Sequence, residues 1–285
     1  MSYTLFDATL DLARTLMQVR EGVTSGAGST ACTTLVDTGL STDYPDDFWN
    51  NGTLWVPTRG AVAAQYKKCT DYVQTSYTLT FDALTSSVGS GVSYRVAPKE
   101  FPLYILLQKI NAVLRGIGPL PLATVITSVA GQSEYDNTDD SIFDEEIIGI
   151  EQCSTLSGYY PGYTPTFDPD VNYNWKPNYH WKQHMESPRR LTFDYGYEPQ
   201  DSVWMRLTYL SPHTELSVET AVINDQVHPD RLRWMAALEC WRWKEKQMHS
   251  GDGTIREMLV EAQQLANLEA GRHPINKQKI RLARW

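Results

Sequence analysis

His180 and His184 are the residues whose spacing comes closest to a metal site, because a separation of four places two imidazoles on one face of a helix. Zinc proteases of the HExxH type carry a glutamate directly after the first histidine. Here Trp181 occupies that position, and Pro177 and Pro188 flank the pair, which argues against a long helix. We therefore expect no metal site and no cofactor.

Other catalytic patterns are equally incomplete. Paired carboxylates could hydrolyse glycosides if the fold held them at a fixed separation, which a sequence does not reveal. A hydrolase would need a pocket in which carboxylates or histidines converge. No serine lies in a GxSxG motif, and no cysteine stands beside a recognisable partner. The stretch Thr24–Thr30 (TSGAGST) lacks the lysine of a phosphate-binding loop and follows a predicted helix, so we interpret it as a hinge. We expect no catalytic residues and no enzymatic activity.

Aromatic residues are concentrated in one irregular stretch, Gly158–Ser187, in a chain that has 9 Trp and 16 Tyr. A loop of about thirty residues is unusual inside a compact domain and tends to be functional or bound to a partner. The rings between Tyr159 and Trp181 could stack on sugars, or they could hold the stretch against the body or a neighbour. The candidate interface aromatics are Trp175, Tyr179 and Trp181.

Charge divides the chain into an acidic block and a cationic end. The net charge of −9 argues against a free-standing nucleic-acid binder, which needs a basic surplus. No Lys or Arg lies between Arg115 and Lys176, and that interval holds Glu134, Asp136, Asp139, Asp140, Asp144, Glu145, Glu146, Glu151, Asp168 and Asp170. Residues 272–285 contain no acid and hold the cations Arg272, Lys277, Lys279, Arg281 and Arg284, with Trp285 last. The acids could form a solvated loop, and the cationic end could be frayed, dock on a neighbour or fold back on the acids.

The apolar periodicity changes between helical and strand-like along the chain. It predicts four helices: Thr4–Arg20, Pro102–Arg115, Pro229–Met248 and Thr254–Ala270, the last ended by Gly271. A first group of strands is predicted at Thr53–Val56, Gln65–Cys69, Ser76–Phe81 and Ser93–Val96. A second group is predicted at Leu122–Ala130, Ile147–Thr155, Arg189–Tyr197, Val203–Leu210 and Leu216–Val222.

These elements indicate an α+β fold, in which a helical scaffold carries inserted antiparallel β units and ends in an extended C-terminal arm. The predicted segments are an N-terminal helix and hinge (1–31), a β unit (32–97), a central helix (98–120), a second β-rich region with the aromatic loop (121–227), a helical pair (228–271) and a basic arm (272–285). Cys32, Cys69, Cys153 and Cys240 are scattered, so we expect reduced thiols in an intracellular compartment. We expect neither a membrane span nor a secretory signal, since no basic segment precedes the first apolar positions.

Several stretches resemble the head–tail connector (adaptor) proteins of tailed bacteriophages. They are the first helix before TSGAGSTACTTLVDT, the unit DDFWNNGTLWV…YKKCTDY…TLTF, the helix FPLYILLQKINAVLRGIG, and the region from RRLTFDYGYEPQDSVWMRLTYL through ETAVINDQVHPDRLRWMAALECW. Together they cover most of the chain. The long β insertions depart from the smaller adaptors of that family.

The resemblance implies a structural virion protein of the phage neck, assembled in the host cytoplasm. It implies a homo-oligomeric ring, with twelve subunits expected, between the portal protein and the tail, nozzle or stopper proteins. The arm from Arg272 to Trp285 would reach into the portal. Asp139, Asp140, Asp144, Glu145 and Glu146 would line a channel through which DNA passes during genome ejection without sequence-specific binding. A carbohydrate- or receptor-binding tail protein, a hydrolase, and another neck ring such as a stopper or tail-completion protein remain alternatives.

Overall fold

The computed structural model of the chain describes residues 2–40, 44–59, 62–129, 131–136, 140–153, 175–186, 189–199, 203–248 and 253–275. The chain divides into two compact units, one formed by Met1–Ile117 with Thr214–Pro274 and the other built on Gly118–His213. Helices and antiparallel strands are both abundant, so the predicted α+β class is confirmed at this coarse level. The helices are α1 (Leu5–Leu16), α2 (Leu103–Ile117), α3 (Pro229–Met248) and α4 (Gly253–Arg272).

All the strand pairs formed by the described residues are antiparallel. In the first unit the strands are β1 (Arg20–Val23), β2 (Thr34–Val36), β3 (Thr53–Val56), β4 (Gln65–Val73), β5 (Thr78–Phe81) and β6 (Ser93–Ala97). In the second unit they are β7 (Leu120–Thr127), β8 (Glu134–Asp136), β9 (Glu146–Cys153), β10 (Trp175–Asn178), β11 (Trp181–His184), β12 (Arg190–Phe193) and β13 (Trp204–Ser211).

Helix α1 begins where the sequence predicts and ends earlier. Thr4 caps it through a capping box with Asp7, which satisfies two backbone N–H groups at the helix start. The predicted end at Arg20 is wrong. Met17 already has extended backbone, and Arg20–Val23 pairs with Val96–Ser93 of β6. Strand pairing therefore takes Arg20, which the periodicity assigned to the end of the helix.

The sheet of the first unit closes on itself. Its order is β1-β6-β3-β4-β5-β2, and a bridge between Gly26 and Val36 joins β2 back to the residues that follow β1. Thr24–Thr30 is therefore not a free hinge, because the Ser25 N–H donates to the Val36 carbonyl at 3.0 Å. Gly28 approaches so closely that a Cβ there would lie 2.0 Å from the Thr34 carbonyl oxygen. The enclosed side chains are Leu35, Leu40, Trp49, Leu54, Val56, Cys69, Tyr72, Leu79, Phe81, Leu84, Val88, Tyr94 and Val96.

Helix α3 packs against the other three helices of the first unit. Its Leu238, Trp234 and Trp241 lie in the cluster with α4, and Trp241 also meets Phe101, just before α2, edge-on. The closed sheet connects to α1 through the buried Trp55 indole, which donates to the Thr9 hydroxyl at 3.1 Å.

The segment that returns from the second unit, residues 214–223, is not the strand predicted at Leu216–Val222. The buried Asn111 amide of α2 donates to the Leu216 carbonyl and accepts from the Leu216 N–H, both at 2.9 Å. Further along, the Leu5 N–H donates to the Ala221 carbonyl, and Val222 forms a single bridge with Thr4. The Asn111 side chain of α2 and the backbone at the start of α1 thus supply the hydrogen-bond partners that a neighbouring strand would otherwise supply.

The second unit contains a four-stranded sheet, ordered β10-β9-β13-β7, and a three-stranded sheet, ordered β11-β12-β8. Their shared core comprises Tyr135, Ile142, Phe143, Ile147, Ile150, Leu191, Phe193, Met205 and Leu207. Four of the strands predicted here are present with shifted bounds, and β12 is much shorter than predicted. Two more, β10 and β11, lie inside the predicted irregular loop Gly158–Ser187, whose residues 158–174 fall outside the described part. None of the described helices is long and apolar enough to cross a bilayer.

Replacement of Asn111 tests the attachment of the returning segment. Asn111→Ala leaves two buried backbone groups of Leu216 without partners, so we expect the free energy of unfolding to fall by about 2–4 kcal/mol. Urea unfolding followed by tryptophan fluorescence measures this. Gln108→Ala, at an exposed position of the same helix, is the control and should change it by less than about 0.5 kcal/mol. Equal effects of the two substitutions would contradict the assignment.

None of the four cysteines forms a disulfide, and only Cys32 is partly exposed. Burial raises the pKa of the Cys240 thiol to about 12 and also raises the pKa of Cys69. Since the thiolate is the reactive form, we expect a disulfide reagent at pH 8 to modify one thiol quickly in the native protein and all four after denaturation. Cys32→Ser should abolish the fast phase. A fast phase that persists in this variant would show that a buried cysteine is accessible.

Candidate partner interface

The three aromatics singled out from sequence lie close together along the chain in the second unit, but they differ in environment. Trp175 is partly buried in β10, beneath the Arg206 guanidinium, whose carbon lies 4.8 Å from the ring centroid. Trp181 packs against the core of the unit and donates its indole N–H to the Asn178 carbonyl at 3.0 Å. Only Tyr179 is exposed, with 49% of its surface accessible. Trp175 and Trp181 therefore mainly hold their strands in place, whereas Tyr179 is available to a partner.

Arg206 links the aromatic edge to the middle of the four-stranded sheet. Its guanidinium stacks on Trp175 and meets the Glu151 carboxylate at 2.5 and 2.6 Å. Both charged side chains are only partly exposed, so solvent screens the pair incompletely. The contact ties β13 to both β9 and β10 and fixes the position of the Trp175 ring.

A turn that the sequence analysis missed completes the aromatic surface. The predicted strand Arg189–Tyr197 ends at Phe193, and the chain turns at Tyr195 and Gly196, where the glycine has φ +82°. Tyr195 is 97% exposed, and Tyr197 stacks on His180 with centroids 3.6 Å apart. The glycine between two tyrosines was the available signal, because a residue with positive φ ends a strand and turns its neighbours outward.

The two histidines do not form a metal site. His180 lies just before β11 and His184 at its end, so their Cα atoms are separated by roughly 13 Å of extended chain. His184 approaches the Thr192 hydroxyl at 3.2 Å, while His180 stacks on Tyr197. Across the described ranges, no group of three or more His, Cys, Asp or Glu side chains is placed to hold a metal ion.

Four of the five predicted channel-lining acids lie on or beside one helical turn, Ser141–Asp144. Asp140 caps the turn by accepting from the Ile142 N–H at 3.1 Å. Asp140 and Asp144 are exposed, Glu145 and Glu146 are partly exposed, and Asp139 lies outside the described residues. The four therefore form a compact negative patch on the second unit.

Gln183 of β11 fixes the position of this acidic turn. Its amide nitrogen donates to the Glu145 carbonyl at 2.5 Å, and its amide oxygen accepts from the Ile147 N–H at 2.9 Å. Arg189 also donates to the Asp144 carbonyl. The backbone of the turn is thus held from two sides, at the Asp144 and Glu145 carbonyls.

The root of the predicted cationic arm is anchored to the start of α3. Helix α4 passes Gly271, the predicted stop, and ends at Arg272, which pairs with Glu269 at 2.9 Å. The His273 carbonyl accepts from Arg231 at 2.8 Å, and the His273 ring stacks on His228 with centroids 3.5 Å apart. The other predicted arm contacts, Lys277, Lys279, Arg281, Arg284 and Trp285, lie outside the described residues.

No model of a known protein family matches the chain, and a search of curated proteins finds no significant match. Function is therefore inferred from the residues and their contacts.

Replacement of Arg231 tests the anchor of the arm. Arg231→Leu removes the donor to the His273 carbonyl, so we expect amide hydrogens in residues 269–275 to exchange about tenfold faster. Hydrogen-exchange mass spectrometry measures the change. Arg256→Leu, at an exposed position of α4, is the matched control and should leave these amides unaffected. Unchanged exchange in the Arg231 variant would mean that the histidine stack holds the root alone.

Proposed function

We propose that this protein is a structural component of the neck of a tailed bacteriophage: a ring-forming head–tail adaptor that joins the portal protein to the tail. Its work is mechanical, and no residue performs catalysis. The observation that supports the proposal is the anchored root of the cationic C-terminal segment. The proposed contact with the portal is made by the residues that follow this root.

The arrangement of the first unit supports an adaptor role. Its four helices pack through α3, and the closed sheet is inserted between α1 and α2. The second unit is inserted between α2 and α3, so both β parts emerge from one helical scaffold. In the proposal the scaffold stacks within the ring, and the β parts meet neighbouring subunits or the tail.

The anchor supports docking by the arm. A cationic segment that leaves a freely moving helix end loses more conformational entropy on binding than one that leaves a fixed point. Arg231, His228 and Glu269 fix the end of α4 up to His273. We propose that Lys277, Lys279, Arg281 and Arg284 pair with acids of the portal and that Trp285 packs into an apolar pocket there.

The acidic turn supports a place beside the DNA. Carboxylates repel phosphates, so a negative surface lets DNA slide without binding. The backbone carbonyls of Asp144 and Glu145 are held by Arg189 and Gln183, and the Asp140 carboxylate caps the turn. We propose that the four acids on or beside this turn, together with Asp139, line the channel of the assembled ring, which we expect to be a dodecamer within the virion.

Another neck ring, such as a stopper or tail-completion protein, would share these features and differ in what the arm contacts. Binding to the purified portal of the same virus distinguishes an adaptor from these other neck rings, since only an adaptor binds the portal directly. A carbohydrate-binding function is favoured by a separate observation, a cavity of the second unit that Tyr179, His180 and Tyr197 line.

The decisive experiment measures assembly of the full chain on purified portal rings. Sedimentation and mass photometry should show a ring forming on the portal with the unaltered protein. A variant with Lys277, Lys279, Arg281 and Arg284 all changed to Gln should bind at least about tenfold more weakly, because four charge contacts are lost. Arg272 is kept, since it pairs within α4.

The matched control changes four exposed cations elsewhere, Lys68, Lys99, Lys246 and Arg256, to Gln. Both variants shift the net charge from −9 to −13 (−9 − 4), so a general electrostatic effect would weaken both alike. Loss confined to the arm variant supports the adaptor. If the unaltered protein stays apart from the portal, the adaptor assignment fails.

A further inference from the structure

A second feature of the molecule, unrelated to the arm, is a cavity of about 410 Å³ in the second unit. It lies beside the edge strand β10 and the turn after β12, and the exposed Tyr179 and Tyr197 form part of its wall. Its size falls in the range of small-ligand sites, about 300–1,000 Å³. The aromatic part of its lining consists of Tyr179, His180 and Tyr197.

The aromatic wall is held in place by its own contacts. The His180 ring covers one face of Tyr197, with an interplanar angle of 16°, yet 51% of the tyrosine surface remains exposed. The His180 N–H donates to the Asn178 side-chain oxygen at 2.9 Å, and the His180 carbonyl accepts from the Asp194 N–H at 2.9 Å. A planar aromatic surface is thus presented in a fixed orientation, which lowers the entropic cost of binding a ligand.

The polar lining offers hydrogen-bond donors and acceptors together. The Gln152 amide nitrogen is buried and has no hydrogen-bond partner among the described residues. Lys176 adds a donor, and the Glu198 carboxylate, which accepts from the Gly196 N–H at 2.8 Å, adds acceptor capacity. A buried donor without a partner costs about 1–3 kcal/mol, so a ligand acceptor at Gln152 would be stabilising.

This combination selects a neutral, polyhydroxylated ligand. Lys176 and Glu198 carry opposite charges, so the lining does not favour an anionic or a cationic ligand. A sugar ring has a face of C–H groups that packs on an aromatic ring. Its rim of hydroxyls both donates and accepts hydrogen bonds. A phosphate or an acidic peptide would use only the donors and leave the tyrosines without a role.

We propose that this cavity binds a neutral oligosaccharide, with one sugar ring packed on Tyr197 and its hydroxyls bonded to Gln152 and Glu198. Tyr179 borders a neighbouring subsite. This binding function is additional to the proposed place in the neck and does not depend on it, because every residue that carries it belongs to the second unit.

Saturation-transfer NMR on the full-length protein tests the proposal, with maltotriose, cellotriose, mannotriose and the trimer of N-acetylglucosamine as probes. We expect transfer to at least one trisaccharide, reduced at least about tenfold by Tyr197→Ala and retained by Tyr197→Phe, which keeps the ring. Tyr104→Ala removes a tyrosine that is 64% exposed in the first unit and serves as the control. Gln152→Leu, which keeps the apolar stem and removes the donor, should weaken binding about tenfold.

Circular dichroism confirms that each variant is folded before binding is measured. Transfer lost in Tyr197→Ala and unchanged in Tyr104→Ala establishes the site. Transfer that survives Tyr197→Ala, or its absence with all four trisaccharides in the folded protein, overturns the proposal.

Discussion

The hydrogen bonds between the Asn111 side chain and the Leu216 backbone fix the point at which the chain re-enters the first unit. The chain leaves this unit after Ile117 and returns at Thr214, so α3 and α4 join α1 and α2 only if the returning segment is held. The second half of this segment is held by an ion pair between Lys67 and Glu219, 3.7 Å apart. It also forms backbone hydrogen bonds with Tyr3, Leu5 and Phe6. Because the same contacts cap the start of α1, the N-terminus and the returning segment stabilise each other. The whole second unit is therefore an insertion that leaves the core of the first unit continuous.

Local sequence patterns located most helices and strands. The elements that were predicted wrongly depend on pairing between residues far apart in the chain. Strand β3 has its predicted bounds because the apolar run in Thr53–Val56 is short and its residues are fully buried. Helix α3 also has them, since Pro229 suits the first helical position. Strand β1 was missed because REGV has little β propensity and is a strand only through β6. The stretch Leu216–Val222 has the composition of a strand, but its partners are a side chain and a helix terminus, which no local pattern encodes.

For the candidate sites, the sequence showed which residue types are concentrated in a region but not which of their side chains are exposed. Aromatic density drew attention to the region around Trp175 and Tyr179, because large rings favour interfaces and packed surfaces. Exposure depends on strand register and turns, so sequence did not separate the packed Trp181 from the exposed Tyr195 and Tyr197. The acidic block was visible as a charge run. Its compact form at Ser141–Asp144 depends on Gln183, an uncharged residue about forty positions later that no charge analysis would select.

In the proposed adaptor, the fixed end of α4 limits where the portal surface bound by the arm can lie. His273 is held by Arg231 and His228. Arg284, the last of the four proposed contact cations, is nine residues after Ile275, and nine residues span at most about 32 Å even when fully extended. Salt weakens exposed charge pairs over distances of about 8–10 Å, so the four cations act only on acids that they reach directly. In the proposed adaptor, the portal must therefore present its acids within that span of the α3–α4 end. A stacked ring meets this requirement, because it holds many copies of the portal surface at one distance and each arm then reaches an acceptor without a further search.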